Sequence, residues 1–183
     1  HEVYDMVYVI PVGSRGNLRV MIKDFLDVNI KLLEPEINKF LRSPAVFIAE
    51  DGTLFISYII GNSKNLKAII SRDRGNTFET LSSNIISGYH LAEISYIPYS
   101  SECSIILFKE IDNPNKTGNL YYAQLRSIFQ STISITTPVS FQTGVKHNVF
   151  SLHRNDDVHL SLVYRRDNTI YIRESNDVLG TSW

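Results

Sequence analysis

The stretch Ser71-Arg72-Asp73-Arg74-Gly75-Asn76-Thr77-Phe78 decides how the rest of the chain is read. It is a tight turn by chemistry: Gly75 can take the positive φ that a hairpin needs. Asp73 can accept backbone N–H groups across the bend, and Phe78 can bury against a neighbouring strand. Working outward from this loop, the preceding residues give strands over Ala45–Ile48, Leu54–Ile59 and Leu66–Ser71, with a turn at Asp51-Gly52. The same order recurs near the other end of the chain: a strand around Val149–Leu152, a turn at Asn155–Asp157, strands Val158–Tyr164 and Thr169–Glu174, then a loop ending in Trp183.

Between these two units, Leu91–Ile97, Ser104–Phe108, Asn119–Gln124 and Ile133–Thr136 give four strands without the closing loop. Ahead of them, Val7–Pro11, Leu18–Lys23 and Leu26–Leu33 supply part of another unit. In the last of these, Leu26, Val28, Ile30 and Leu32 alternate with Asp27, Asn29 and Lys31, which predicts that the leucines, valine and isoleucine face a core. Turn chemistry gathers at 13–17, 50–52, 61–65, 112–118 and 154–157. The one helical candidate is Glu34–Leu41, with Pro35 in its first turn.

An all-β chain with a repeat of about 45 residues and four strands per repeat reads as a β-propeller. The expected division of this one domain is a partial unit over 1–41 and blade-like units over 42–83, 84–137 and 138–183. Three to four antiparallel blades leave open sheet edges. The expectation is an incomplete propeller: a fragment of a longer chain, or one that completes its sheet with another chain or with missing blades.

The loop at 71–78 resembles the Asp-box of the sialidase or BNR-repeat superfamily, Ser-x-Asp-x-Gly-x-Thr-Trp or Phe. Ser71, Asp73, Gly75 and Phe78 stand at its defining positions, with Thr77 between the last two. Ser175, Asp177, Gly180 and Trp183 look like a longer copy with one extra residue between aspartate and glycine. In the resembled family these boxes lie on the rim and serve folding, so the resemblance implies structural roles for all eight residues and no catalytic one. Arg42-Ser43-Pro44 is similar to the opening of a sialidase first blade, where an arginine precedes Ile-Pro and belongs to a clamp on the sugar carboxylate. A guanidinium suits that role because its planar fork pairs bidentately with a carboxylate.

Two departures weigh against catalysis. Ser43 replaces the isoleucine, and Gly61-Asn62-Ser63-Lys64-Asn65, where the family carries its acid, contains no carboxylate. No catalytic residue is assigned, and Arg42 is the single candidate ligand contact. The expected function is a non-catalytic binding or structural module of a surface, secreted or virion protein, recognising glycan or protein. The alternative is the amino-terminal part of a sialidase-type glycoside hydrolase.

Composition excludes other classes. The 183 residues are 43% hydrophobic and 20% charged, which fits a globular domain. Eighteen Lys and Arg against 19 Asp and Glu give a net charge of −1, without the basic excess of a nucleic-acid binder. No apolar run approaches the roughly 18 residues of a membrane-spanning helix. A lone Cys103 excludes an internal disulfide and a paired-cysteine zinc site. His90, His147, His153 and His159 lack metal-ligand spacing, so neither metal nor cofactor is expected. Arg126, Arg154, Arg165 and Arg166 read as solvated charges, and Tyr121, Tyr122 and Tyr164 as core or rim residues. Asn115-Lys116-Thr117 fits a glycosylation acceptor.

Overall fold

The computed structural model describes residues 6–12, 17–23, 28–33, 40–49, 51–81, 84–97, 100–111, 116–130, 132–154 and 159–176, and the backbone alone at 6–12, 17, 28–29 and 147–149. All regular structure among them is strand. The chain divides into two compact units, His1–Ser87 and Gly88–Trp183.

In the first unit, β1 (Met6–Val12), β2 (Asn17–Lys23) and β3 (Val28–Leu33) form an antiparallel meander. A second sheet holds β4 (Leu41–Ile48), β5 (Leu54–Ile60), β6 (Asn65–Ser71), β7 (Glu79–Thr80) and β8 (Ile86–Ser87). The last two lie along the same edge of β6, paired at Ile69↔Thr80 and Leu66↔Ile86, so they act as one interrupted fourth strand. Period-2 alternation in β2 sends Leu18, Val20 and Ile22 inward, onto Leu54, Ile56, Tyr58 and Ile60 of β5. Every residue of β5 is buried, because its second face, Phe55, Ser57 and Ile59, is covered as well. A strand hidden on both faces reads as a continuous apolar run, which LFISYII is. Burying each large side chain in such a core contributes about 1.5–3 kcal/mol before the opposing chain entropy.

β3 corrects the sequence expectation. Ile30 and Leu32 are 59% and 55% exposed, while Leu33 packs against the core. The cause is register. Met21↔Ile30 and Arg19↔Leu32 are cross-strand partners, and directly opposed residues share a face. Leu18, Val20 and Ile22 fix the inner face of β2 and thereby turn Ile30 and Leu32 outward. Lys31, on the inner side, donates its ammonium hydrogen bond to the backbone carbonyl of Asn76. Residues 34–39 of the helical candidate lie outside the described residues, and its last residue, Leu41, is a buried start of β4 instead.

The second unit is one seven-stranded sheet of β9 (Leu91–Tyr96), β10 (Glu102–Glu110), β11 (Thr117–Arg126), β12 (Ser134–Ile135), β13 (Val139–Arg154), β14 (Leu160–Arg166) and β15 (Thr169–Glu174). Its order is β15-β14-β13-β11-β10-β9, with β12 beside β11. The 16-residue β13 serves two partners: Val139–Lys146 pairs with β11, and Val145 together with Phe150–Arg154 pairs with β14. Gly144 takes a φ of 72° in the β11 pairing, and the register with β14 shifts between Val145 and Phe150, as at a β-bulge. Ile106, Phe108, Leu120, Val145, Leu152, Leu160, Leu162 and Tyr164 form the core.

Candidate functional site

The loop after β6 closes through its own side chains. The Ser71 hydroxyl donates to Asp73 Oδ1 at 2.9 Å and accepts the Gly75 N–H at 2.7 Å. Asp73 Oδ1 also accepts the Thr77 N–H at 2.8 Å, and the Thr77 hydroxyl donates to Asp73 Oδ2 at 2.6 Å. Asn76 donates its side-chain amide to the Asp73 carbonyl at 2.8 Å. Arg74 and Gly75 are both left-handed, with φ of 58° and 82°. The Thr77 hydroxyl, then the Thr77 amide, hold the Asp73 carboxyl down at about 2, against 3.8 for a free aspartate. Both carboxylate oxygens are therefore committed to the turn, which suits closure and not proton transfer.

The same loop is keyed to the core. A Cβ at Gly75 would stand 2.1 Å from Ile22 Cδ1 and 3.3 Å from Leu54 Cδ1. Phe78 packs on the cluster that contains both residues. The Arg72–Glu79 ion pair, 2.9 Å long, is exposed at both ends and adds little.

At the corresponding place in the second unit, Ser175 is buried and bridges to the start of β14. Its hydroxyl accepts the Leu160 N–H at 2.8 Å, and its own N–H donates to the Leu160 carbonyl at 2.9 Å. In the first unit the register likewise sets Ser71 opposite Leu54, the first residue of β5. Asp177, Gly180 and Trp183 lie outside the described residues.

Arg42 sits at the entry to β4, half-buried, paired with Ile59. Directly after it the register slips: Ser43 and Pro44 together oppose Tyr58, and Ser43 adopts φ 48°. A bulge is where a proline without an N–H can sit inside a ladder. The Arg42 guanidinium carbon lies 5.0 Å from the centroid of the Phe40 ring. Phe40 is 41% exposed, and its carbonyl accepts the Gly61 N–H at 2.6 Å, which ties the β5–β6 turn to this end of β4. Among the described residues no carboxylate lies within ion-pair distance of Arg42. Among the described residues the guanidinium thus has an aromatic face and no counter-ion.

The other candidates are dispersed. His90 Nδ1 accepts the Glu110 N–H at 3.1 Å, and its ring meets Phe108 edge to face, so it is a satisfied packing residue. Among the described residues no group of three or more potential metal ligands occurs. Arg154 departs from the solvated-charge expectation: it is half-buried, and its Nε donates to the Tyr96 carbonyl at 2.9 Å. Tyr164 is buried, stacks on Tyr171 at 5.4 Å, and donates to Gln142 Oε1 at 3.0 Å. Burial pushes the Cys103 thiol up, away from reactivity. Sequence reasoning missed Phe40 and Gly61, and also Glu93 on β9. Burial raises the Glu93 carboxyl above its ordinary value, against the lowering effect of a hydrogen bond from the Leu152 backbone N–H. The available signal was a carboxylate set inside the apolar run LAEISY.

The fold is sialidase-like. Its particular likenesses are to the NanB sialidase of Streptococcus pneumoniae in complex with 2-[(3-chlorobenzyl)ammonio]ethanesulfonate, at 12% identity and a TM-score of 0.59 over 93% of this chain, and to a point mutant of the same enzyme, at 14% identity and a TM-score of 0.58 over 90% of this chain. The Hadza microbial sialidase Hz136 aligns at 13% identity with a TM-score of 0.50 over 96% of this chain. These shares correspond to 28%, 27% and 45% of the respective neighbours, so the chain spans less than half the length of each. At such identities the likeness is one of fold. No family model and no curated protein sequence matches the chain. Among the described residues no helix is long and apolar enough to cross a membrane.

Proposed function

We propose that the chain is a non-catalytic binding module on a sialidase-like propeller scaffold, part of a surface, secreted or virion protein, which recognises a carboxylate-bearing glycan through Arg42. The Ser71–Phe78 loop is read as an Asp-box that fastens one blade, and Ser175–Trp183 as its longer copy. The units 42–83, 84–137 and 138–183 are read as blades, with 1–41 as part of another. The observation that carries the functional reading is the state of Arg42: a guanidinium held on an aromatic ring, without a carboxylate partner among the described residues. Beside it the turn Gly61–Lys64 supplies amide, hydroxyl and ammonium groups but no acid. Glycosidic cleavage of the retaining kind needs a proton donor at the leaving oxygen and a nucleophile with its base. Binding needs the cation and the shape alone.

The test is a glycan array read with the wild-type chain and Arg42→Ala, beside a fluorogenic sialoside assay. The expected result is saturable binding to carboxylated glycans that falls about 10-fold or more in Arg42→Ala, as loss of a charge-assisted contact implies, with no turnover. Turnover that collapses in Arg42→Ala would establish the hydrolase reading in its place.

A further inference from the structure

We infer that Phe40 and Gly61 are positioning residues for Arg42, fixing the plane of its guanidinium so that one edge is presented to a single carboxylate. This rests on the reading of Arg42 as the ligand contact and goes beyond it, because neither residue carries a group that would bind the anion itself. Three observations converge. The ring of Phe40 lies under the guanidinium carbon at 5.0 Å, close enough for a cation–π contact that favours a defined place for the group over the aromatic face. The Gly61 N–H grips the Phe40 carbonyl at 2.6 Å, so the turn cannot drift from the aromatic residue. Finally, a Cβ at Gly61 would stand 3.0 Å from Phe40 Cδ1, 3.2 Å from the Phe40 carbonyl oxygen and 3.3 Å from Arg42 Nε.

Those three distances define what glycine does here. Each is tighter than ordinary van der Waals contact, and the nearest backbone atom is held by the hydrogen bond just named. Any side chain at position 61 must therefore displace the Phe40 ring, the arginine or both. On its other side Arg42 is followed at once by the bulge at Ser43-Pro44, while Leu41 before it is buried in the core. The guanidinium is thus approached by an aromatic ring and a glycine turn. A carboxylate can meet a fork held in this way without the entropy loss of ordering a free arginine.

The experiment compares wild type, Phe40→Tyr, Phe40→Leu, Gly61→Ala and Arg42→Ala by NMR titration with 3′-sialyllactose, with neutral lactose as control and thermal unfolding recorded for each. The Arg42 δ-methylene protons report the geometry without ligand, because the Phe40 ring current moves them upfield. Expected are wild-type affinity in Phe40→Tyr, which keeps the aromatic face, and a loss of about 2- to 5-fold in Phe40→Leu and Gly61→Ala. The δ-methylene shift should vanish in Phe40→Leu and change in Gly61→Ala. A merely structural role would lower the unfolding temperature and leave the affinity of the folded fraction unchanged, and that result overturns the inference. Wild-type affinity in both Phe40→Leu and Gly61→Ala, with Arg42→Ala silent, also overturns it while sparing the reading of Arg42. If the wild type ignores 3′-sialyllactose, or Arg42→Ala binds like it, the reading of Arg42 falls and the positioning claim falls with it.

Discussion

The hairpins β5–β6 and β14–β15 share one plan and differ in what covers them. Both place a serine, Ser71 or Ser175, against the leucine that opens the first strand, Leu54 or Leu160. On one face both are core: Leu54, Ile56 and Tyr58 in the first unit, Leu160, Leu162 and Tyr164 in the second. On the other face they part. Phe55, Ile59, Leu66, Ala68 and Ile70 are buried, whereas Val163, Ile170 and Ile172 are exposed by 37%, 68% and 68%. Similar local grammar therefore yields a hairpin buried on both faces or on one according to the neighbouring structure, which sequence periodicity within the hairpin does not encode.

The largest effect should separate those two faces. Phe55→Ala is expected to cost about 3–5 kcal/mol and Ile70→Ala about 2–5 kcal/mol, by lost transfer energy and a cavity. Ile172→Ala on the exposed face should change stability by no more than about 0.5 kcal/mol. Chemical denaturation of the three variants checks this. A cost for Ile172→Ala like that of Ile70→Ala would mean that its face is covered in solution.

Next come the two loop anchors. Gly75→Ala combines a left-handed φ with a Cβ placed 2.1 Å from Ile22 Cδ1, and should cost about 1–3 kcal/mol. Ser175→Ala strands the Leu160 N–H and should cost about 1–3 kcal/mol. Melting curves that rank Ser175→Ala at zero would remove the equivalence of the two hairpins.

The smallest effects concern two acids of opposite sign. Asp73 is lowered to about 2 from 3.8, so its contribution is present above the unfolded value and is lost as pH falls through the folded one. Asp73→Asn should therefore melt below wild type at pH 7, and the gap should close between about pH 4 and pH 2. Glu93 is raised, so the protonated form favours folding and the advantage is lost as pH rises through its folded value. Glu93→Gln should melt at or above wild type at pH 7 and match it at acid pH. Unfolding temperatures across pH 2–8 test both signs.

Much of this fold was legible because strands and turns are local. The apolar runs place β5, β6 and β15 within one residue of their observed bounds, while β14, expected over Val158–Tyr164, runs on to Arg166. What was not legible depended on partners distant in sequence. The alternation in β3 gives its period, but the face it buries is imposed by Leu18, Val20 and Ile22 across the ladder. Nothing between Val139 and Arg154 announces that one strand serves two neighbours; Gly144 is the sole cue. At the candidate site, Arg42 was visible from its motif, while Phe40 and Gly61 were not. Gly61 comes opposite Phe40 only once β4 and β5 are in register, and Arg42, two residues on, then shares the face of Phe40.

The central claim, recognition of a carboxylated glycan without its cleavage, is tested most directly by following 3′-sialyllactose and the wild-type chain together by proton NMR over hours. The account predicts saturable, concentration-dependent broadening of the sialic acid signals, absent with lactose, and no release of free sialic acid. The appearance of free sialic acid at a rate proportional to protein would contradict it.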